Sequence, residues 1–488
     1  MKDFLRLNDC DNAVVACREL QPGEVLENGI KVLEPIPKGH KIAAEPIAKG
    51  EDVVKYGYPI GYAICDIQAG QWIHTHNIKT KLSENTEYVY NKRSCTLPLV
   101  APDTFMGYRR ENGGVGIRNE IWIIPAVGCV NKIAETMAKL AALDLPENVD
   151  GVFAFPHPYG CSQIGDDHEN TKQLLSALCN HPNAGGVLLL GLGCENNQID
   201  AMLPLIREDR MKRVRTLICQ QVGDEMEEGA RLIDELKELC SKDRREPVPV
   251  SELIVGMKCG GSDAFSGITA NPLVGAFSDL MSAQGGTTLL TEVPEMFGAE
   301  NPLLARSRDE EIFRQGVEMI EDFKNYYRKN EQPIYENPSP GNKAGGITTL
   351  EEKSLGCIEK AGSSEIQAVL KYTQPATVKG LQILSAPGND LVATTTLAAS
   401  GAHLVLFTTG RGTPFAGPVP TVKISTNSDL YRRKPNWIDF NAGELLENAD
   451  MATLAKELYD YVLKLASGEV GVKQESRELA IFKTGVTL

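Results

Sequence analysis

Beyond Arg110 the chain alternates short apolar runs with amphipathic stretches of helical length. The runs are Ile121–Val127, Gly151–Phe155, Gly186–Leu190, Arg215–Cys219, Leu253–Met257, Thr287–Leu290, Leu381–Ser385 and His403–Phe407. Between them, Asp224–Cys240 sets Met226, Ile233, Leu236 and Leu239 on one face, and Asp309–Arg328 does the same with Phe313, Val317, Ile320, Phe323 and Tyr327, the spacing of an amphipathic helix. Asn271-Pro272 reads as an N-cap followed by a proline in the first turn, and Gly401 as the close of a helix that starts near Asp390. Nearly unbroken apolar strands between helices predict parallel sheets covered on both faces, an α/β architecture. Residues 1–82 follow another rhythm: Asn12–Cys17, Ile30–Leu33, His40–Ala43, Asp52–Lys55 and Tyr62–Cys65 are short and are punctuated by Gly or Pro, which predicts a compact β module. From Lys79 to about Pro102 the chain is mostly polar without a period and reads as a linker.

Composition narrows the function classes. The 488 residues are 42% hydrophobic and 24% charged, as in ordinary folded domains. A net charge of -15 without a dense Lys/Arg tract argues against a nucleic-acid partner. No segment approaches the roughly 20 apolar residues of a membrane span, so the expectation is a cytoplasmic protein. Twelve cysteines without a secretion signal then read as ligands, reactive thiols or packing rather than as disulfides.

Ligands of open parallel sheets bind beyond the carboxyl ends of the strands, and four cysteines stand there: Cys129, Cys161 and Cys194, each after a glycine, and Cys259 before Gly260-Gly261. Near them lie Asp166, Asp167 and His168, then Asp263, then Glu292. Thiolate, imidazole and carboxylate together suit a first-row transition metal such as iron, with Cys161, Cys259 and His168 as the leading ligands and Asp166, Asp263, Glu292, Cys129 and Cys194 as further candidates. His74-Thr75-His76 reads as a strand presenting both imidazoles on one side, as acid/base groups or metal ligands. Gly191-Leu192-Gly193-Cys194-Glu195-Asn196 has Asn196 where a dinucleotide loop needs its third glycine, which excludes a nicotinamide site. Arg109, Arg110 and Arg118 around a glycine-rich turn, and Arg411 after a strand, are candidates for a carboxylate substrate. The polar stretch 335–350, with Asn342 and Lys343, reads as a binding loop.

Lys55-Tyr56-Gly57-Tyr58-Pro59-Ile60-Gly61-Tyr62-Ala63, His74-Thr75-His76-Asn77, Tyr159-Gly160-Cys161-Ser162-Gln163, Gly193-Cys194-Glu195-Asn196-Asn197, Cys259-Gly260-Gly261-Ser262-Asp263, Thr291-Glu292-Val293-Pro294-Glu295, Glu336-Asn337-Pro338-Ser339-Pro340-Gly341-Asn342 and Gly410-Arg411-Gly412-Thr413-Pro414 together make the chain resemble the altronate/galactarate dehydratase family. The resemblance implies a β-clip (SAF-like) domain over 1–82, a linker over 83–105, a middle α/β domain over 106–248 that helps form a homodimer, and a Rossmann-like metal-binding domain over 249–488. It also implies an iron-dependent hydro-lyase of hexuronate breakdown that converts D-altronate to 2-keto-3-deoxy-D-gluconate by β-elimination. His74, His76, Lys343 and His168 are then candidates for proton transfer, and Arg109, Arg110, Arg118, Asn342 and Arg411 for binding the sugar acid. Mononuclear Fe2+ is slightly favoured over an iron–sulfur cluster with one open iron, which three of the strand-end cysteines would hold. Galactarate dehydratase, sulfolactate sulfo-lyase and a non-catalytic sugar-acid binding protein are the alternative functions on this scaffold.

Overall fold

The computed structural model describes residues 2–82, 87–111, 113–335 and 337–487. Ser83 and Asn85 of the expected linker, Asn112 of the arginine turn, Glu336 of the polar loop and Leu488 lie outside them.

All eight apolar runs form strands. In the middle of the chain β1 (Glu120–Pro125), β2 (Gly151–Ala154), β3 (Ala184–Gly191) and β4 (Val214–Ile218) make a parallel sheet of order β2-β1-β3-β4. Helices α1 (Asn131–Ala141) and α2 (Gly165–Cys179) connect β1 to β2 and β2 to β3, and α3 (Glu225–Cys240) follows β4. The C-terminal part contributes β5 (Ile254–Cys259), β6 (Thr287–Leu290), β7 (Ile366–Leu370), β8 (Gly380–Leu384), β9 (Leu404–Thr409), β10 (Thr421–Ser425) and β11 (Phe440–Asn441), a parallel sheet of order β7-β8-β6-β5-β9-β10-β11. Its helices include α4 (Ala270–Ala283), α5 (Glu310–Lys329), α6 (Pro340–Ala344), α7 (Leu350–Ile358), α8 (Asp390–Ala399) and α9 (Met451–Ala466). Strand order reverses at β1 in one sheet and at β5 in the other, so a ligand-binding crevice is expected at the carboxyl end of each. Residues 104–109, 115–116 and 245–249 form a separate antiparallel sheet.

Two expectations about helix starts differ in outcome. Asp224 and Asp309 cap α3 and α5, each side chain accepting from N–H groups of the first turn. Asn271 does not cap α4, which already begins at Ala270. Its amide instead donates to the Gly356 carbonyl and accepts from the Thr408 hydroxyl. The polar loop is not structureless either, because Ser339 and Asn342 form a capping box that starts α6.

The N-terminal module consists of a four-stranded and a three-stranded antiparallel sheet. Val14, Ala16, Leu20 and Ile42 pack in a core of its own, whereas Ile60, Ile73 and Ile78 share the core of Met296, Phe297 and Leu350. Three polar groups of the module then hold the end of α6. His74 Nε2 lies 3.0 Å from the Lys343 carbonyl, His40 bonds the Ala344 backbone, and Lys41 Nζ donates to the Gly346 carbonyl at 2.8 Å, all near carbonyls that a helix end leaves unpaired. The expected linker is a bound strap: Glu351 accepts from Lys81 N and Leu82 N, Tyr90 donates to the Ser307 carbonyl, and Arg93 N to the Ala305 carbonyl.

A fully buried ion triad fastens the module. Lys41 and Lys55 each reach a different oxygen of Glu352 at 2.8 Å, and Thr348 N and Oγ1 satisfy the carboxylate further. Burial alone would raise the Glu352 carboxyl, but the two ammonium groups hold it well below the usual range. Glu352→Gln leaves two buried cations underpaired and is expected to cost about 3–5 kcal/mol, read as a lower urea midpoint; an unchanged midpoint would remove the triad from the account.

Candidate active site

At the carboxyl end of β5, where strand order reverses, a cavity of about 360 Å³ is lined by Cys259, Glu295, Asn342, Lys353, Asp390 and neighbouring loop residues. Its floor is a buried set of thiols and charges. Cys259 Sγ and Cys357 Sγ lie 2.9 and 3.0 Å from Glu295 Oε2 and 3.5 Å from each other. Lys353 Nζ pairs with Glu295 at 2.8 Å and donates to Asn337 Oδ1 at 3.0 Å. Lys258 bonds Glu292 and reaches Asp390 at 2.9 Å, and Lys360 approaches Glu292 at 3.4 Å. Three ammonium groups thus face three carboxylates, which makes a dry cluster tolerable. Burial would raise Glu295, but Lys353, Lys360 and Lys258 overcome it and hold the carboxylate ionised. The Cys259 hydrogen bond and burial push the Cys357 thiol well up.

Among the described residues, Cys259, Glu295 and Cys357 are the group of three ligand-type side chains whose donor atoms lie within 4.8 Å of one another. The donors fit a thiophilic divalent ion, because metal–sulfur bonds of about 2.3 Å set tetrahedral ligand atoms about 3.8 Å apart. Charge fits as well: a divalent ion replacing the two thiol protons leaves the net charge of the cluster unchanged. Only Cys259 of this trio was legible as a ligand. Glu295 sits in the Glu-Val-Pro-Glu run beyond Glu292, and Cys357 lies inside α7 with no strand-end signal.

The other expected ligands lie elsewhere. Cys129, Cys161 and Cys194 are exposed and follow strands of the middle sheet, so they do not join Cys259. Asp166 and His168 stand in the first turn of α2, Asp166 exposed and His168 with a buried Nε2 that has no partner among the described residues. Asp263 is half-buried and spends its oxygens on Ser266, Phe265 N, Thr426 and Asn427. Glu292 is committed to Lys258, Lys360 and Cys259 N, next to the thiols rather than among them.

The expected carboxylate-binding arginines are also occupied. Arg109 pairs with Glu246, Arg110 with Asp243 and Asn119, and Arg118 with Glu120 and Glu475; all three sit on or beside the small antiparallel sheet. Arg411 is exposed and reaches the Gly341 carbonyl at 3.3 Å, behind the loop that carries Asn342. Asn342 lines the cavity, although its amide donates to the Ser262 carbonyl. Lys343 is half-buried.

His74 and His76 occupy a turn, not a strand: β pairing stops at Ile73, and Asn77 N donates to the His74 carbonyl. His74 stacks on Trp72 at 5.0 Å and lies 5.2 Å from His40, while the exposed His76 ring is 5.4 Å from Trp72. His74 therefore braces α6 rather than lining the cavity. His40, absent from the sequence candidates, accepts from Trp72 Nε1 at 3.2 Å. A second cavity, of about 710 Å³, lies between Tyr56, Arg93, Cys95 and Arg306. Two of its ionisable groups serve the backbone, Asp279 accepting from Ser363 N and Ser364 N and Arg306 donating to the Ala361 carbonyl, and among the described residues it holds no ligand trio.

A β module braced on the helix that carries Asn342, beside an α/β crevice floored by thiols and paired charges, defines an enzyme-like scaffold of three parts. The chain belongs to the D-galactarate/altronate dehydratase family: residues 2–81 match the altronate/galactarate dehydratase SAF domain, 107–241 the D-galactarate dehydratase/altronate hydrolase second domain, and 250–487 the D-galactarate/altronate dehydratase C-terminal domain. It is 53% identical to an altronate dehydratase of Bacillus subtilis (strain 168) over 100% of both chains. It is 51% identical to an altronate dehydratase of Escherichia coli (strain K12), over 99% of this chain and 100% of that one. A galactarate dehydratase (L-threo-forming) of E. coli K12 is 34% identical over 96% and 93%.

Burial, with help from the neighbouring His74 and Lys41, pushes His40 down from 6.5 to about 4. The unfolded chain therefore binds a proton near pH 6.5 that the native state refuses until about pH 4, so native stability is lost as pH falls through that window, by about 3 kcal/mol from this group. His40→Gln keeps an acceptor for Trp72 and is expected to show a shallower loss between pH 7 and pH 4.5 in urea denaturation. Parallel pH profiles would contradict the assignment.

Proposed function

We propose that this protein dehydrates D-altronate to 2-keto-3-deoxy-D-gluconate. The observation that carries the reading is the cavity at the β5 switch point, whose wall pairs a buried cation with carboxylates and whose rim supplies neutral amides and a hydroxyl, in a chain more than half identical over its full length to altronate dehydratases. Its volume suits a six-carbon acid. Lys353 Nζ has three N–H donors, two of them taken by Glu295 and Asn337, and the third suits the substrate carboxylate. Asn337, Ser339 and Asn342 face the polyol.

Elimination needs a base for the weakly acidic C2 proton and an acid for the departing C3 hydroxyl. Asp390 is the accessible carboxylate of the wall, its side chain 36% exposed and held by Lys258, and serves as the base. The proton returned to the C3 oxygen releases water, and the enol left behind tautomerises to the 2-keto acid without any redox change. Ferrous iron fits Cys259, Glu295 and Cys357; when bound it supplies Lewis-acid stabilisation of the charge that develops on substrate oxygen. His74, His40 and Lys41 keep α6, and with it Asn342, against the cavity. Their replacement should therefore raise KM more than it lowers kcat.

The test is a 2-keto acid assay of iron-loaded protein under anaerobic conditions, with altronate, galactarate and sulfolactate offered separately. Altronate is expected to be the preferred substrate, Asp390→Asn to lower kcat by about 10²-fold or more, and Cys357→Ser to lower bound iron. Full activity in metal-free protein would exclude the metal's part, and tight altronate binding without turnover would leave a sugar-acid binding protein.

A further inference from the structure

Every strand of the middle sheet runs into a cysteine at its carboxyl end. In the spatial order β2-β1-β3-β4 these are Cys161, Cys129, Cys194 and Cys219. The first three are exposed, although an unpaired cysteine is ordinarily among the most buried of residues. The three exposed thiols stand in loops that follow adjacent strands at the switch point of this sheet. The buried trio around Glu295 takes no part in this arrangement.

The loops that carry them are locked to one another. Gly128 N donates to the Tyr159 carbonyl at 2.8 Å, and Asn197 N to the Gly160 carbonyl at 2.9 Å. Ser162 N donates to Asn196 Oδ1 at 2.8 Å, and Asn131 Nδ2 to the His157 carbonyl at 2.8 Å. Close approach explains the residue before two of the thiols: a Cβ at Gly160 would stand 2.2 Å from the Ala126 carbonyl oxygen, and one at Gly128 2.8 Å from that of His157. Ser162 adopts φ +56° directly after Cys161, a conformation that a non-glycine residue holds only where the surroundings impose it. Around Cys194, Gln220 Nε2 points at the sulfur from 3.6 Å, the kind of N–H donor that tunes a thiolate ligand.

We propose that Cys129, Cys161 and Cys194 hold an iron–sulfur cluster of the four-iron type, with its fourth iron free of any thiol. Spacing chooses this over a single ion. A tetrahedral ion needs its sulfurs about 3.8 Å apart, and among the described residues the exposed thiols form no group within 4.8 Å, whereas a cubane spreads its terminal ligands wider. A preformed cluster passes onto the protein by ligand exchange: three Fe–S bonds to the protein thiols form, four bonds to carrier thiolates break, water takes the fourth iron's place, and three of the departing thiolates carry off the protein's thiol protons while the fourth takes one from solvent, with no change in oxidation state. The fourth iron keeps an open position for an oxygen ligand.

The proposal concerns cofactor content and does not rest on the dehydration reading. The full chain, purified anaerobically, is to be incubated with a four-iron cluster preassembled on a small-thiol carrier, desalted, and assayed for iron, acid-labile sulfide and the electron paramagnetic resonance of the reduced form. About four irons and four sulfides per chain are expected. Each of Cys129→Ser, Cys161→Ser and Cys194→Ser should lose most of the sulfide, while Cys259→Ser and Cys357→Ser keep it. Alkylation mapping of the unmutated protein gives a second reading that does not depend on variant folding: the loaded form should shield Cys129, Cys161 and Cys194 while the exposed Cys10 and Cys65 still react. Iron without sulfide, sulfide retained in the triple variant, or equal alkylation of the three thiols with and without the cluster would overturn the proposal.

Discussion

The structure around the cavity depends on one buried ammonium group. Lys258, the penultimate residue of β5, is wholly shielded from water and survives there because Glu292 and Asp390 meet it from two directions. Those contacts tie the ends of β5 and β6 to the start of α8. Glu292 accordingly adopts φ +72°, a left-handed conformation unusual for a glutamate, at the price of some local strain. Lys360 completes the pairing of Glu292 from the end of α7, and Lys353 pairs Glu295 from within that helix. Removing Lys258, Glu292 or Glu295 leaves an uncompensated charge among buried groups, whereas Asp390 is partly exposed to the cavity.

The fold was largely legible from apolar periodicity, because buried parallel strands leave a continuous hydrophobic signature that edge or amphipathic strands do not. Thr287–Leu290 matched its strand residue for residue. β7 escaped notice because its middle residues are only partly buried. The site was less legible. Cys259 stood where the rule of strand ends looks for it, but Cys357 is brought to it by the docking of α7, a contact between residues 98 positions apart. Arg110 and Arg118 illustrate the opposite failure: their chemistry suits a carboxylate, yet the protein's own carboxylates had taken them.

The two parallel sheets open toward the same end of the molecule. Helices α2 and α8 pack together through Leu174, Leu175, Leu397 and Ala398. Just beyond their last turns His181 meets the Ala402 carbonyl and Asn183 the His403 carbonyl. Their first turns, beside Cys161 and at Asp390, therefore share the other end, and the C-terminal tail crosses both helices, with Ala480 N on Thr395 and Thr484 N on Asp167. The N-terminal module approaches the cavity from the side of α6, so the position of Asn342 depends on a histidine more than 250 residues away.

The claim at the centre of this account is that the sugar acid occupies the β5 cavity rather than the larger one beside Tyr56 and Arg306. The most direct measurement is a crystal structure of the protein with 3-deoxy-D-altronate, which has no C3 hydroxyl to expel. The account predicts the ligand carboxylate against Lys353, its C2 beside Asp390 and its polyol along Asn337, Ser339 and Asn342. Ligand density in the larger cavity, or over the exposed thiols of the middle sheet with the β5 cavity empty, would contradict it.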